Sequence, residues 1–248
     1  GGVNLADEYA NEITRFGHWK DTAIMLKGDA VQSFTMLFLE MWAVNQIEPA
    51  DCQNYLTPKR VVPDPPHGYV IPYGDHPYDN ENVGEEVYFH ILNHSKKYVH
   101  IMTPYLILDS EMITTLTRAA KSGIEVIIIM PHIPDKWYAF VLAHTYYKEL
   151  IQAGVSIYEY TPGFVHAKVF VADDDTATVG TINLDYRSLY LHFECGAYIY
   201  DHPVVVDIER DFQETLKKCQ KISLTEVENR SVTHKVMGQI LRLIAPLM

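Results

Sequence analysis

Apolar and polar positions follow several different periods along this chain. From Trp19 to Lys27 the run WKDTAIMLK is apolar enough for a buried strand. Asp29, with Gln32 three residues on, predicts a capping box opening a helix to about Val44 whose apolar face would be Val31, Phe34, Phe38 and Trp42. Between 48 and 82, prolines and glycines from Pro49 to Pro77 recur too often for a helix to persist, which predicts a linker. Helix and strand patterns then alternate: helix 84–96, strand 98–103, helix 109–122, strand 124–130, helix 136–153 and strand 155–160. Gly123 and Gly154 stand where two of these helices must stop. Hairpin-like strands around 164–180 and a strand from Phe193 to Tyr200 lead into a helix over about 203–220, with Val205, Ile208, Phe212 and Leu216 on one face. A last helix is signalled by Thr225 and Glu228 and carries Val232, Val236, Ile240 and Leu243 as an apolar stripe up to Pro246. Packing of that stripe on its own domain is preferred to a position on a membrane. The whole pattern predicts an α/β fold, a mixed sheet flanked by helices over 83–248, preceded by the linker 48–82 and a separate segment 1–47.

Composition narrows the function classes. With 248 residues and 48% hydrophobic positions the chain can fill a core, so disorder is excluded. A formal net charge of −12 disfavours generic nucleic-acid binding, which needs a surface that neutralises phosphates. Cys52, Cys195 and Cys219 lack the spacing of a disulfide framework or a zinc cluster, and a reducing compartment fits them. The apolar runs are far shorter than the roughly 20 residues that span a bilayer, and residues 1–20 have no signal-peptide pattern, so the chain as given reads as soluble. An opening Gly-Gly without Met suggests a fragment.

The chemistry concentrates in VHAKVFVADDDTATVGTINLDYRS, which begins at Val165. His166 and Lys168 are two apart and project from the same face of a strand. With Asp174 and Asp175 as the central pair of a tight turn, His166 would face Asn183 and Lys168 would face Thr181. That gathers an imidazole, an ammonium, an amide and a hydroxyl into an anion site without a metal. A slip of one residue would put His166 and Asn183 on opposite faces. A neutral imidazole is a competent nucleophile at phosphorus, and Lys and Asn donors stabilise charge on the non-bridging oxygens, so the set suits phosphoryl transfer through a phosphohistidine. An acid for the leaving alkoxide is missing from it, and a second histidine is required.

His166, Lys168, Asp173, Gly180, Thr181 and Asn183 reproduce the signature H-x-K-x4-D-x6-G-(S/T)-x-N and so resemble the phospholipase D superfamily. TPYLILD at 103–109, SGIEVIIIMPHIPDK at 122–136, NLDYRSLYLHFE at 183–194 and the ending LIAPLM are similar to bacterial cardiolipin synthases, and the likeness covers nearly the whole chain. The resemblance implies a phospholipase D-like α/β sandwich with two such motifs facing each other, one His attacking and the other acting as acid. Gly1, Gly2 and Asn4 match Gly180, Thr181 and Asn183, so 1–47 would be the remnant of a first repeat whose His lies fourteen residues before Gly1. GHWKDTAIMLKGDAV resembles the next segment of that repeat, with Ala23 where a His is expected. The implied reaction transfers a phosphatidyl group between two phosphatidylglycerol molecules, giving cardiolipin and glycerol, with no nucleotide, cofactor or metal. By carry-over, His166 is nucleophile or acid, Lys168, Asn183 and Asn4 bind phosphate, Thr181 adds a hydrogen bond, Glu194 orients the histidine and Asp173, a member of the motif, looks structural. The implied partners are phosphatidylglycerol or another anionic phospholipid, a bacterial cell membrane with the catalytic part on its cytoplasmic side, and no nucleic acid; the fragment alone would be inactive unless two copies pair as a homodimer.

Blander readings stand beside these. Glu194 could be a half-buried carboxylate paired with Arg187, Tyr105 a core tyrosine, and His132, His144 and His192 structural or exposed. Asp173–Asp175 and Glu81–Glu86 read as a turn and a solvated helix start rather than a magnesium site. A nuclease of the same superfamily and a non-catalytic module that binds lipid phosphate are the competing functions.

Overall fold

The computed structural model describes residues 1–44, 52–56 and 67–247. Its elements run β1 (His18–Lys20), α1 (Ala30–Ala43), β2 (Tyr69–Asp75), α2 (Val83–His94), β3 (Tyr98–Met102), α3 (Ser110–Lys121), β4 (Glu125–Pro131), α4 (Trp137–Ala153), β5 (Ser156–Tyr160), β6 (Gly163–Val165), β7 (Val169–Ala172), β8 (Thr176–Gly180), α5 (Tyr186–Tyr190), β9 (Glu194–Tyr200), α6 (Val204–Leu216), β10 (Cys219–Lys221), α7 (Leu224–Glu228) and α8 (Val232–Leu243). Eight strands form one mixed sheet in the order β10-β5-β4-β3-β7-β8-β9-β2, in which β3, β4 and β5 are parallel and the other pairs antiparallel. The continuous apolar run Val126–Met130 suits a strand covered on both faces. Ile101, Ile128 and Phe170 point to the layer built on α2, α3 and α4, while Met102, Ile129, Val169 and Val171 point to α6, where they meet Val205, Ile208 and Phe212. Among the described residues no helix is long and apolar enough to cross a membrane.

A second sheet has only two strands, β1 parallel to β6, with Trp19 opposite Phe164. A Cβ on Gly163 would lie 2.4 Å from the His18 carbonyl oxygen, so glycine is what lets the two backbones meet. Lys20 Nζ reaches Asp211 of α6 at 2.7 Å, and the Thr22 hydroxyl donates to the same carboxylate at 2.8 Å. The first twenty-odd residues are thereby tied to the main sheet at the end where β6 leads into β7.

Several sequence expectations are corrected. The expected strand 19–27 is only β1, because only His18–Lys20 pair with β6. The expected linker contributes β2, an edge strand on β9, where Pro72 is tolerated because an edge has a side without ladder bonds; Pro49, Pro58, Pro63, Pro65 and Pro66 lie outside the described residues. Asp29 makes no side-chain cap to α1. Phe38 and Trp42 of its expected inner face are exposed, while Leu39 is buried. The helix expected over 203–220 ends at Leu216, since Cys219–Lys221 pairs with β5 as an edge strand. The capping box near the C-terminus is Ser223 with Glu226, not Thr225 with Glu228, and it opens the short α7; α8 starts separately after Ser231. The stripe Val232, Val236, Ile240 and Leu243 faces solvent, and α8 packs on α4 by its other side, where Gly238 sits against Thr145. In the expected solvated start of α2, Glu85 is buried and accepts from the Tyr190 hydroxyl at 2.8 Å, and burial pushes its carboxyl up to about 8.

The β7–β8 hairpin slips by one residue from the expected register. Ala172 faces Thr176, so Asp173, Asp174 and Asp175 form a three-residue loop. Asp173 and Asp174 have φ of 54° and 64°, a left-handed conformation that aspartate tolerates better than most residues. The Asp173 carboxylate accepts from the backbone N–H groups of Lys96 at 2.6 Å, Lys97 at 2.9 Å and Tyr98 at 3.0 Å. Those bonds staple the hairpin to the start of β3 and favour the longer loop over a two-residue turn. Asp173→Ala is expected to cost about 2 kcal/mol in urea unfolding, since a charged acceptor of several N–H groups is removed from a part-exposed site. The specific activity of the folded fraction should not change.

Candidate active site

His166 and Lys168 lie between β6 and β7, at the end of the sheet where β3, β4 and β8 finish. The His166 N–H donates to Lys20 O at 2.7 Å, which continues the β1–β6 pairing by one residue. That brings Asp21 to the ring, and His166 Nδ1 is 2.9 Å from Asp21 Oδ2. Lys168 Nζ lies 2.8 and 2.9 Å from the two ring nitrogens and donates to the His166 carbonyl oxygen. Trp19 and Tyr9 wall the imidazole, at centroid distances of 5.1 and 5.0 Å, the tyrosine edge-on.

Burial governs the electrostatics of this cluster. Loss of hydration pushes Lys168 down to about 7, against the opposing pull of Asp21, Glu194, Asp185 and Asp135. His166 is lowered, first by burial and then by the charge of Lys168, with the bond to Asp21 acting the other way. Burial works to raise Asp21, but the hydrogen bond from His166 and the Lys168 charge outweigh it and hold the carboxyl below its ordinary value. A ring held by a carboxylate at Nδ1 is fixed in the tautomer that carries its lone pair on Nε2. A Cβ on Gly2 would lie 2.8 Å from Lys168 Nζ, so a side chain there would displace the end of the lysine.

The remaining sequence candidates fall into three places. Thr181 follows β8, donates its N–H to Cys195 O at 2.8 Å and its hydroxyl to Glu194. Glu194 is thus bonded to Thr181 and not to His166, whose Nδ1 is taken by Asp21, and this corrects the expected orienting role. Its other neighbour is His192 at 3.5 Å, not Arg187. Burial raises the Glu194 carboxyl. Asn183 donates to Ser188 Oγ at 3.0 Å, and its Oδ1 is buried without a hydrogen-bond partner among the described residues. Asn183 and Thr181 do not face His166 and Lys168 as expected: with the slipped register it is Gly180 that bonds Lys168, N–H to carbonyl, at 3.2 Å. Asn4 donates to the Tyr9 hydroxyl at 2.8 Å and so touches the cluster through that ring. Asp173 lies at the far end of β7, away from the cluster.

Sequence reasoning missed Asp21, Trp19 and Asp135. The Tyr105 hydroxyl donates to Asp135 at 2.6 Å, and the Asp135 charge acts on both His166 and Lys168. For Asp21 the signal was its place in GHWKDT, part of a stretch that resembles the first repeat. A cavity of about 480 Å³, whose lining includes neither His166 nor Lys168, runs from Asn4, Thr181 and Glu194 to Phe34, Leu37, Phe38 and Met41 of α1 and Phe193.

This fold and this motif geometry define a phospholipase D-like domain. Residues 88–216 match the family described as "Cardiolipin synthase, PLD-like domain". The chain is 36% identical over its whole length to a Bacillus anthracis protein named cardiolipin synthase 2, of which it spans 48%. It is 54% identical to an uncharacterised Streptococcus mutans protein, spanning all of this chain and 53% of that one. It thus spans about half the length of the curated relatives it matches. The crystal structure of phosphatidylserine synthase from Haemophilus influenzae superposes with a TM-score of 0.57 at 17% identity, covering 72% of this chain and 45% of that one. The chain belongs to the cardiolipin synthase family of the phospholipase D superfamily.

A lysine whose folded pKa is about 7 against 10.5 unfolded binds fewer protons when folded across that window. Stability from this group is therefore absent below pH 7 and accrues as pH rises towards 10.5. In urea unfolding, the difference between wild type and Lys168→Met should move in favour of wild type between pH 7 and pH 9.5. A difference independent of pH would mean that Lys168 keeps an ordinary pKa.

Proposed function

We propose that this chain supplies one half of the catalytic centre of a phosphatidyltransferase that makes cardiolipin and glycerol from two molecules of phosphatidylglycerol. His166 Nε2 acts at phosphorus, and the imidazolium character it gains there is stabilised by the carboxylate of Asp21 at Nδ1. Lys168 provides positive charge for the non-bridging oxygens, drawn out by the surrounding carboxylates. As nucleophile, the ring forms an N–P bond while the glycerol P–O bond breaks, and a second histidine protonates the departing alkoxide. The hydroxyl of the second phosphatidylglycerol then attacks phosphorus, gives its proton to that histidine, and frees His166. By resemblance the second histidine belongs to the motif whose tail is Gly1, Gly2 and Asn4. Asp173 has no part in these steps.

The observation that carries a lipid substrate is the cavity wall. Glu194, whose charge acts on Lys168, lines with Thr181 the same space as Phe34, Leu37 and Phe38. A polar end at Glu194, whose charge reaches Lys168, and an apolar end on α1 match the headgroup and acyl portions of a phospholipid. The net charge of −12 weighs against the nuclease reading. Exclusion of water by such walls favours a lipid hydroxyl over hydrolysis.

Turnover of phosphatidylglycerol by the full-length protein, with lipid products resolved, tests this. Wild type should yield cardiolipin and glycerol, and His166→Ala should lower the rate by about 10³-fold or more. Phosphatidic acid as the only product would make the protein a hydrolase, and no turnover would leave a binding module. Asp21→Asn should lower kcat by about 10²-fold. It should also move the acidic limb of the pH profile to lower pH, because a ring without its carboxylate partner is harder to protonate.

A further inference from the structure

Helix α8 turns its apolar face outward. Val232, Val236, Ile240 and Leu243 form one strip and are 74%, 53%, 53% and 83% exposed, and Leu247 continues it past the helix end. Single exposed apolar residues are ordinary, whereas a contiguous strip of this kind marks an interaction surface. Its opposite side is already used, since Gly238 and Leu241 are buried there.

A basic cavity of about 250 Å³ opens along the edge of that strip, between α8, the turn before it and α4. Its walls carry Lys148, Arg230 and Lys235, with His144 and His234 behind them and Glu228 as the carboxylate among the lining residues. Lys148 pairs with Glu228 at 3.0 Å, and Lys235 Nζ donates to the Glu228 carbonyl oxygen at 2.6 Å. Arg230 Nη2 stands 3.8 Å from the buried Glu159, while its Nη1 is buried without a hydrogen-bond partner among the described residues. Lysine ammonium groups with an arginine in the same wall are common recognition chemistry for a phosphate. At 3.6 residues per turn, Lys235 and Gln239 of the cavity wall come next to Val232 and Leu243 around the helix, so cavity and strip share a border. In a chain whose net charge is −12, this cluster of cations runs against the general field.

We propose that α8 is an interfacial helix by which this domain lies on an anionic bilayer, its apolar strip among the acyl chains and a lipid phosphate in the cavity of Lys148, Arg230 and Lys235. An amphipathic helix bordered by cations has the composition of such elements, and the phosphate in the cavity sets the domain's rotation about the helix. Charge complementarity selects this occupant over a symmetric pairing of α8 with α8 of a second copy, which would bring the same cations against these. The surface is separate from the His166 cluster and does not depend on the transfer reaction.

The test uses the full-length protein reconstituted into vesicles whose lipids carry a radiolabelled acyl chain, with benzoylphenylalanine in place of Ile240 or Leu243, or of Thr225 on α7 as a control. Irradiation of vesicles containing phosphatidylglycerol should transfer lipid label from 240 and 243 about tenfold more than from 225. Lys148→Glu combined with Lys235→Glu, both at the rim, should reduce that labelling about tenfold. Equal labelling in pure phosphatidylcholine vesicles, a cross-link within the same chain, or a cross-linked dimer would each overturn the proposal. Labelling is read without turnover, so this outcome and that of the phosphatidylglycerol assay are separate.

Discussion

The contact between β1 and β6 is the one on which the candidate site depends. A buried ammonium loses most of its hydration, and Lys168 is tolerated beside His166 because carboxylates surround the pair. The carboxylate in direct contact with the ring, Asp21, comes from a segment 145 residues away in sequence. It is delivered by three residue pairs of parallel strand, by the absence of a side chain on Gly163, and by the anchoring of Lys20 on Asp211. Were β1 to separate, the imidazole would lose its partner and its tautomer, and the lysine would face the remaining carboxylates at longer range. Structure and chemistry thus share a single joint.

The motif from His166 to Asn183 divides into two jobs at the two ends of one hairpin. At one end His166 and Lys168 form the contacting pair of the candidate site; at the other, Asp173 accepts three backbone N–H groups from the start of β3 and sets the loop. The loop fixes the register, and the register decides that Gly180 lies opposite Lys168, with Thr181 and Asn183 beyond the ladder. Freed from the strand, those two side chains turn to Glu194 and Ser188. A residue far from the chemistry thereby helps the β7–β8 ladder hold its register.

Apolar surface left over from the core includes the side of α1 that lines the cavity and the strip on α8. The proposed phosphatidyl transfer gives both a common sense, because the lipid it takes would be met at the edge of a bilayer. Strongly negative overall charge and local cations then act at different ranges. The net charge discourages nonspecific attraction to phosphates, whereas Lys168 and the α8 cluster act within a few ångströms, where screening by salt is weak.

The spacing of His166, Lys168, Gly180, Thr181 and Asn183, the alternation of helix and strand beyond residue 83, and the glycine stops were all legible in the sequence, because each depends on residues near one another in the chain. Periodicity told which residues of α1 and α8 share a face, but not which way the face points; that was decided by what packs on the other side. Phe38 and Val236 are exposed for this reason, although each sits in a regular apolar stripe. The one-residue slip of the hairpin could not be read from Asp173–Asp175 alone, since the bonds that favour it are made to Lys96, Lys97 and Tyr98. The exchange of carboxylates, Asp21 on His166 and Glu194 on Thr181, was likewise settled only in three dimensions. Local spacing marks the candidate groups; contacts between distant segments choose their partners.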